Sequence, residues 1–340
     1  MKNILLLGSL TNKNDPTKTG GVVVLFELLL SELKKRDIKY STIDTLVENY
    51  GNPLKAFIYV WIQLIKHAPK YDHVSLQATK NGILFIGPLL IILSKIYKFD
   101  CSIRVFAGNM GDVYKNSNFF KKIIIRYVLK NTTVNFFETK YLIKYFSFLN
   151  ENTYWMPNVR EKNIRKSILG DFKKRFVYIG TINYEKGIDI ICEIAKKINK
   201  DITFDVYGPI IEDKYSKAYF EEYGVSYCGA LKAEEVLDTM TRYDVLVLPS
   251  FREGYPGVII EAFSLGIPVI ASRLDGIIEM VEDSITGTLI EPGNSQELLD
   301  AIHGINSENF VELQNNALQA FTHYDSETNT DNFLKKINFI

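Results

Sequence analysis

Two glutamates eight positions apart, Glu253 and Glu261, close the segment Glu253-Gly254-Tyr255-Pro256-Gly257-Val258-Ile259-Ile260-Glu261. Pro256 suits the first turn of a helix, where its missing N–H is no loss. Glu253 then sits in the loop before that helix and Glu261 in its second turn. The free N–H groups of Gly257 and Val258 at the helix N-terminus favour a phosphate, and Gly257 lets a ligand approach the backbone. Glu261 could accept hydrogen bonds from a ribose diol, and Glu253 could hold hydroxyls of a sugar beyond the phosphates. Taken alone, the pair reads more readily as a solvated loop residue and a surface helix residue. The surroundings decide.

Those surroundings alternate strand and helix. In the first half, short apolar runs at residues 3–8, 40–43, 74–76, 102–106 and 134–137 predict strands, with a helix over 22–35 after the Gly20-Gly21 loop. The second half repeats the pattern: strands at 176–180, 203–207, 225–228, 244–248 and 268–271, and helices at 187–198, 234–242 and 257–265. Such alternation predicts a parallel sheet covered on both faces. Two doubly wound α/β domains result, 1–155 and 156–324, with a seam near Met156-Pro157-Asn158 and a C-terminal helix at 325–340 packing back on the first. Ligands of such sheets bind beyond the carboxyl ends of the strands, and two such domains facing each other would form a central cleft.

Composition narrows the class. The 340 residues hold 46% hydrophobic and 24% charged side chains, a globular balance. Three cysteines, Cys101, Cys192 and Cys228, are too few and too far apart for a disulfide framework or zinc knuckle, which suits a reducing cytosol. Forty basic residues cancel forty acidic ones, so the total charge predicts no nucleic-acid partner. The halves differ: residues 1–155 hold 21 Lys+Arg against 11 Asp+Glu, and the remainder 19 against 29. The start Ile4-Leu5-Leu6-Leu7 is shorter than a secretory core. Residues 83–93, interrupted by Gly87-Pro88, are too short to span a membrane and read as one buried core helix.

The order of pieces around the two glutamates is specific: an apolar strand, Pro249-Ser250, the glutamate segment, Gly266-Ile267-Pro268, Gly276, then Thr286-Gly287 before Glu291-Pro292. With Gly180, Lys186-Gly187, Gly208-Pro209 and Cys228-Gly229-Ala230-Leu231 upstream, it resembles the C-terminal domain of GT-B fold glycosyltransferases, specifically retaining glycosyltransferase family four (glycosyl transferases group 1). The resemblance is close over about 155–300 and weaker before. It implies a GT-B enzyme that transfers a hexose-like sugar from a nucleoside diphosphate sugar, UDP or GDP, to an acceptor hydroxyl with retention. It further implies that Glu261 binds ribose, Glu253 lies at the donor sugar, Gly257 and Val258 meet the diphosphate, and Gly254, Tyr255 and Pro256 belong to the same donor-binding segment. Lys186 matches the lysine at the diphosphate, Gly21 the loop glycine that approaches the phosphates, and Gly180, Gly208 and Leu231 fall on donor-binding loops. An ammonium near the phosphates stabilises the departing charge. No cofactor or metal is implied, and no metal-ligand cluster is seen.

Two departures stand out. Thr181 occupies the usual place of an arginine, with Arg252 as a substitute cation. The loop Ala107-Gly108-Asn109-Met110-Gly111-Asp112 lacks a histidine common in relatives, leaving Asn109 and Asp112 as candidates for sugar or acceptor contact. The segment 119–130, rich in Lys, Phe and Ile, reads either as an ordinary domain helix or as a basic amphipathic patch for anionic lipid headgroups. The implied pathway is bacterial surface polysaccharide assembly, in the cytoplasm or at the inner face of the plasma membrane, on a glycan or lipid-linked saccharide. Two rivals share the fold: a non-hydrolysing nucleotide-sugar epimerase, which histidine-poor loops disfavour, and a non-catalytic subunit that binds a glycan or partner.

Overall fold

Strands apolar on both faces must be covered on both faces, and the chain meets that requirement twice. The computed structural model describes residues 2–15, 20–106, 108–162 and 170–340. They divide into two units, Met1–Glu161 with Ser326–Ile340, and Lys162–Asp325.

The first unit runs β1 (Ile4–Gly8), α1 (Gly21–Lys35), β2 (Tyr40–Asp44), α2 (Pro53–His67), β3 (His73–Ala78), α3 (Lys80–Phe85), α4 (Gly87–Tyr97), β4 (Asp100–Val105), α5 (Met110–Lys115), α6 (Phe119–Asn131), β5 (Val134–Phe137), α7 (Lys140–Phe146) and β6 (Thr153–Trp155). All its strand pairs are parallel, in the order β2-β1-β3-β4-β5-β6. Side chains alternate along a strand, so β1 serves two cores. Leu5 and Leu7 pack with Val60 and Leu64 of α2, Leu90 of α4 and Val128 of α6. Ile4 and Leu6 pack with Phe26 and Leu29 of α1 and with Phe333 and Leu334 of the last helix. Residues 83–93 are not one helix. The chain breaks at Ile86, and α4 begins at Gly87, where a β-carbon would run into Val128. Ile92 on the outer side of α4 is exposed rather than buried.

The second unit runs β7 (Arg175–Ile179), α8 (Ile188–Ala195), β8 (Thr203–Tyr207), α9 (Lys217–Tyr223), β9 (Ser226–Tyr227), α10 (Ala233–Met240), β10 (Val245–Leu248), α11 (Gly257–Ser264), β11 (Val269–Ser272), β12 (Gly287–Ile290), α12 (Ser295–Gly304) and α13 (Ser307–Phe321). Its sheet is parallel in the order β12-β11-β10-β7-β8-β9. β7 and β10 are therefore neighbours although about seventy residues separate them.

The last helix, α14 (Ser326–Lys336), belongs to the first unit. Ser326 N–H donates to the Arg160 carbonyl at 2.9 Å, and its hydroxyl to Glu32 at 3.0 Å. Arg36 bridges Glu32 at 2.6 Å and Asp331 at 2.8 Å. Burial works against the Glu32 carboxylate, but hydrogen bonds from Lys35, Arg36 and Ser326 outweigh it and hold this carboxyl below its usual range. The chain stays with the first unit a few residues past Asn158. Arg104 Nη2 donates to the Pro157 carbonyl at 2.7 Å, and Val159 packs with Leu25 and Phe106.

Phe333, 1% exposed with its ring 5.3 Å from that of Phe136, is the apolar anchor of α14. Phe333→Ala should cost the first unit about 3–5 kcal/mol, read as a lowered denaturant midpoint. A midpoint equal to wild type would mean that α14 adds no stability.

Candidate active site

The second sheet fixes where its loops meet. β10 is wholly buried and ends in Pro249-Ser250. The loop after β7 forms a 3-10 turn, Tyr184–Lys186, capped by Asn183, whose side chain accepts from Lys186 N–H at 3.0 Å. Because β7 and β10 pair, these loops lie side by side and are tied together. Phe251 N–H donates to the Glu185 carbonyl at 2.8 Å, and the Tyr184 and Phe251 rings stack at 5.1 Å. Gly187, at φ +71°, passes so close to the Pro249 carbonyl that a β-carbon would collide with it.

That tie brings three functional groups together. Lys186 Nζ lies 2.8 Å from Glu253 Oε1, and the Ser250 hydroxyl donates to the same oxygen at 2.9 Å. The Glu253 side chain is 11% exposed and that of Lys186 25%, so neither is a solvated surface charge. The phenol of Tyr178, buried below, is pushed up by burial and by the negative charge of Glu253. Its hydroxyl donates to the Thr181 carbonyl at 2.7 Å and sits where a Gly180 side chain would be. Lys186 just precedes a helix, as the reading of 187–198 places it. It closes the 3-10 turn two residues before α8, with Gly187 as the N-cap between them.

Beyond Glu253 the chain enters α11. Pro256 is its N-cap, so the helix begins at Gly257, and no side chain caps it. The N–H groups of Gly257 and Val258, both half-buried, face outward from the first turn, and half-buried Glu261 follows one turn on. The Tyr255 ring is buried against Tyr324 at 6.3 Å, so the ring anchors this loop and only its backbone can face a ligand. Gly254 is exposed, and its carbonyl touches Gly276 closely enough to exclude a β-carbon there, which joins the loop after β11 to the cluster. Gly208 follows β8, its N–H donating to the Gly229 carbonyl at 2.9 Å, and half-buried Leu231 follows β9. Arg252, the candidate substitute cation, lies in the loop beside Glu253. It is exposed and reaches Glu185 at 3.5 Å.

In the first unit, Gly21 is not a loop residue. Gly20 is the N-cap of α1 and Gly21 its first residue, with neither a side-chain cap nor an acid in the first turn. Asn109 is the exposed N-cap of α5, and Asp112 an exposed first-turn residue of that helix rather than part of a loop. Ala107 lies outside the described residues. Sequence reading missed what lies beneath: Arg104, fully buried, and Glu138. Burial pushes the Glu138 carboxyl up to about 7, opposed by the nearby guanidinium and by the Gly108 N–H. Also missed is a cavity of about 230 Å³ at the carboxyl ends of β1, β2 and β3, lined by Ser9, Thr45, Gln77, Thr79 and Asn81. Gln77 is 2% exposed, and its amide oxygen has no hydrogen-bond partner.

The raised Glu138 pKa carries a sign. The folded state holds this proton more tightly than the unfolded chain, so stability falls as pH rises from about 4.5 through about 7. Glu138→Gln should flatten that dependence by roughly 1–3 kcal/mol between the two ends. Denaturant unfolding at both ends checks it, and parallel pH curves for variant and wild type would refute it.

Residues 173–307 match the model of glycosyl transferases group 1. The chain is 28% identical over 308 residues to the uncharacterized glycosyltransferase MJ1178 of Methanocaldococcus jannaschii, covering 83% of this chain and 84% of that protein. It is 24% identical over 174 residues, half of this chain and 46% of the other, to the N,N'-diacetylbacillosaminyl-diphospho-undecaprenol alpha-1,3-N-acetylgalactosaminyltransferase of Campylobacter jejuni. Anabaena Alr3699/HepE, solved with UDP, superposes with a TM-score of 0.75 at 15% identity, over 100% of both chains. The two Rossmann-like units match those of GT-B glycosyltransferases. Residues 173–307 thus carry a group 1 glycosyl transferase domain, and the protein is a transferase enzyme of the glycosyltransferase class.

Proposed function

We propose that the enzyme is a retaining glycosyltransferase of family four. It moves a sugar from UDP or GDP to a hydroxyl of a glycan or lipid-linked saccharide, in bacterial surface polysaccharide synthesis. The observation that carries this reading is the Lys186–Glu253–Ser250 cluster beside the uncapped N-terminus of α11. In this reading the Gly257 and Val258 amides and the Lys186 ammonium hold the diphosphate. Glu261 accepts from the ribose diol. Glu253, oriented by Ser250, accepts from the hydroxyls of the donor sugar. The bond from the anomeric carbon to the diphosphate oxygen breaks, and the acceptor oxygen bonds to that carbon from the same face. The acceptor proton passes to a diphosphate oxygen, whose charge Lys186 and the helix amides stabilise. These groups neutralise the diphosphate without a metal ion.

On the acceptor side, the cavity lined by Ser9, Thr45, Thr79 and Asn81 together with Phe57 and Pro53 supports a saccharide. The hydroxyls of Ser9, Thr45 and Thr79 suit sugar hydroxyls, and the apolar lining suits a ring face. The Campylobacter jejuni relative, named for a diphospho-undecaprenol substrate, supports a lipid-linked acceptor. A nucleoside diphosphate sugar donor suits a cytoplasmic enzyme.

Glu261 and Glu253 should separate by kinetics. Glu261→Ala removes a charged acceptor from the ribose, a loss of about 1.5–3 kcal/mol in nucleoside diphosphate affinity. Glu253→Gln should leave that affinity intact or raise it, because Lys186 loses its carboxylate partner, while turnover falls about tenfold or more. Calorimetry with UDP and GDP and a donor-sugar transfer assay read the two effects. Equal nucleotide affinity in Glu261→Ala, or lost affinity with normal turnover in Glu253→Gln, would reverse the assignments.

A further inference from the structure

α2 is apolar on two sides. Its inner stripe, Ala56, Val60 and Leu64, is buried against the sheet. Its outer stripe, Leu54, Ile58, Trp61, Ile62 and Ile65, recurs at helical spacing and is exposed, Leu54 to 70% and Trp61 to 39%. An apolar stripe left in water along a helix is normally one that a partner covers. The neighbouring helices extend the stripe. α4 packs against both α2 and α6. It presents Ile92 and Ile96, and α6 presents Phe119, Phe120 and Ile123. Trp61 Nε1 donates to the Phe85 carbonyl of α3 at 2.8 Å, and Lys95 of α4 donates to Asn131 of α6 at 2.6 Å, so the four helices form one continuous layer. A contiguous apolar patch of this kind marks a contact surface.

The charges name the partner. α2, α3, α4 and α6 carry two, one, one and four lysines or arginines, and no aspartate or glutamate. The helices on the opposite face of the sheet are mixed, with Glu27 and Glu32 on α1 and Glu327 and Asp331 on α14. Two copies of an all-basic face would repel each other, so a self-dimer through it is disfavoured. We propose that this face docks on an anionic lipid bilayer. The apolar stripe of α2 and α4 enters the headgroup region, Trp61 sits at the interface, and Lys121, Lys122, Arg126 and Lys130 of α6 meet the lipid phosphates. Such a bilayer supplies hydrocarbon for the stripe and phosphates for the cations across the full width of the layer, and long basic side chains reach past apolar neighbours to the charge. Docking of this kind lies along the surface; among the described residues no helix is long and apolar enough to cross a membrane.

The inference stands apart from the transferase reading, and its test keeps them apart. Full-length protein is sedimented with phosphatidylglycerol or phosphatidylcholine vesicles at low ionic strength, and Trp61 emission is followed in a Trp155→Phe background. Wild type should sediment with phosphatidylglycerol alone, with a blue shift of Trp61. The combined Ile58→Ser, Ile62→Ser, Ile65→Ser variant, changed only at exposed positions, should bind about tenfold or more weakly. The combined Lys121→Glu, Lys122→Glu, Arg126→Glu, Lys130→Glu variant should not sediment at all. UDP affinity should be the same in all of them. Wild type left in the supernatant, sedimentation without a Trp61 shift, or a concentration-dependent dimer that the serine variant abolishes would overturn the proposal.

Discussion

The candidate site rests on one ion pair. Glu253 is a carboxylate almost closed off from water, and such a charge is costly unless it is paired and hydrogen-bonded. Lys186 pairs with it at 2.8 Å and Ser250 donates to the same oxygen at 2.9 Å. Each partner comes from a different loop, so the pair exists only if the loops are held together. The parallel pairing of β7 with β10 does this, reinforced by the Glu185 carbonyl, which accepts from Phe251. Removing either charge leaves the other under-compensated in a place with little solvent. The same pair sets the chemistry. An ammonium held in place by a carboxylate is already oriented for a second anion, and the nearby start of α11 supplies the amides that such an anion needs.

Close backbone approach is the second constraint. Gly187 lets the loop after β7 press on Pro249, and Gly276 lets the loop after β11 press on Gly254. A β-carbon at either place would push the loops apart. The Tyr178 hydroxyl, in the space left by Gly180, holds the Thr181 carbonyl from below. The charged groups are thus presented by loops that are stapled from the side and floored from beneath, which is the preorganisation a transferase site requires.

Much of this was legible in the order of residues. The apolar run ending at Leu248, the proline before α11 and the spacing of Glu253 and Glu261 are local features, and local patterns survive folding. The Lys186–Glu253 contact was not legible, because it depends on which strands are neighbours, and strand order is a property of the whole sheet. The turn at Tyr184–Lys186 was not legible either, since Gly187 ends the turn and opens α8 at once. Arg104 and Glu138 were overlooked because they stand within or just beyond apolar strands, where a charge draws no attention until burial is known. The break at Ile86 was visible as Gly87-Pro88, yet the flanking apolar runs argued for one buried helix. The outer stripe of α2 was hidden for the same reason. A helix with two adjacent apolar stripes still has one polar side, and the sequence does not say which stripe is turned inward.

Direct titration of the ammonium's role tests the account at its centre. Wild type and Lys186→Ala are compared by calorimetry for UDP, GDP and the matching free nucleosides. The account predicts that the variant binds the preferred diphosphate about tenfold or more weakly and the nucleoside with unchanged affinity, because only the phosphates meet the lysine. Equal affinity of the two proteins for the diphosphate, or no binding of either diphosphate to wild type, would contradict it.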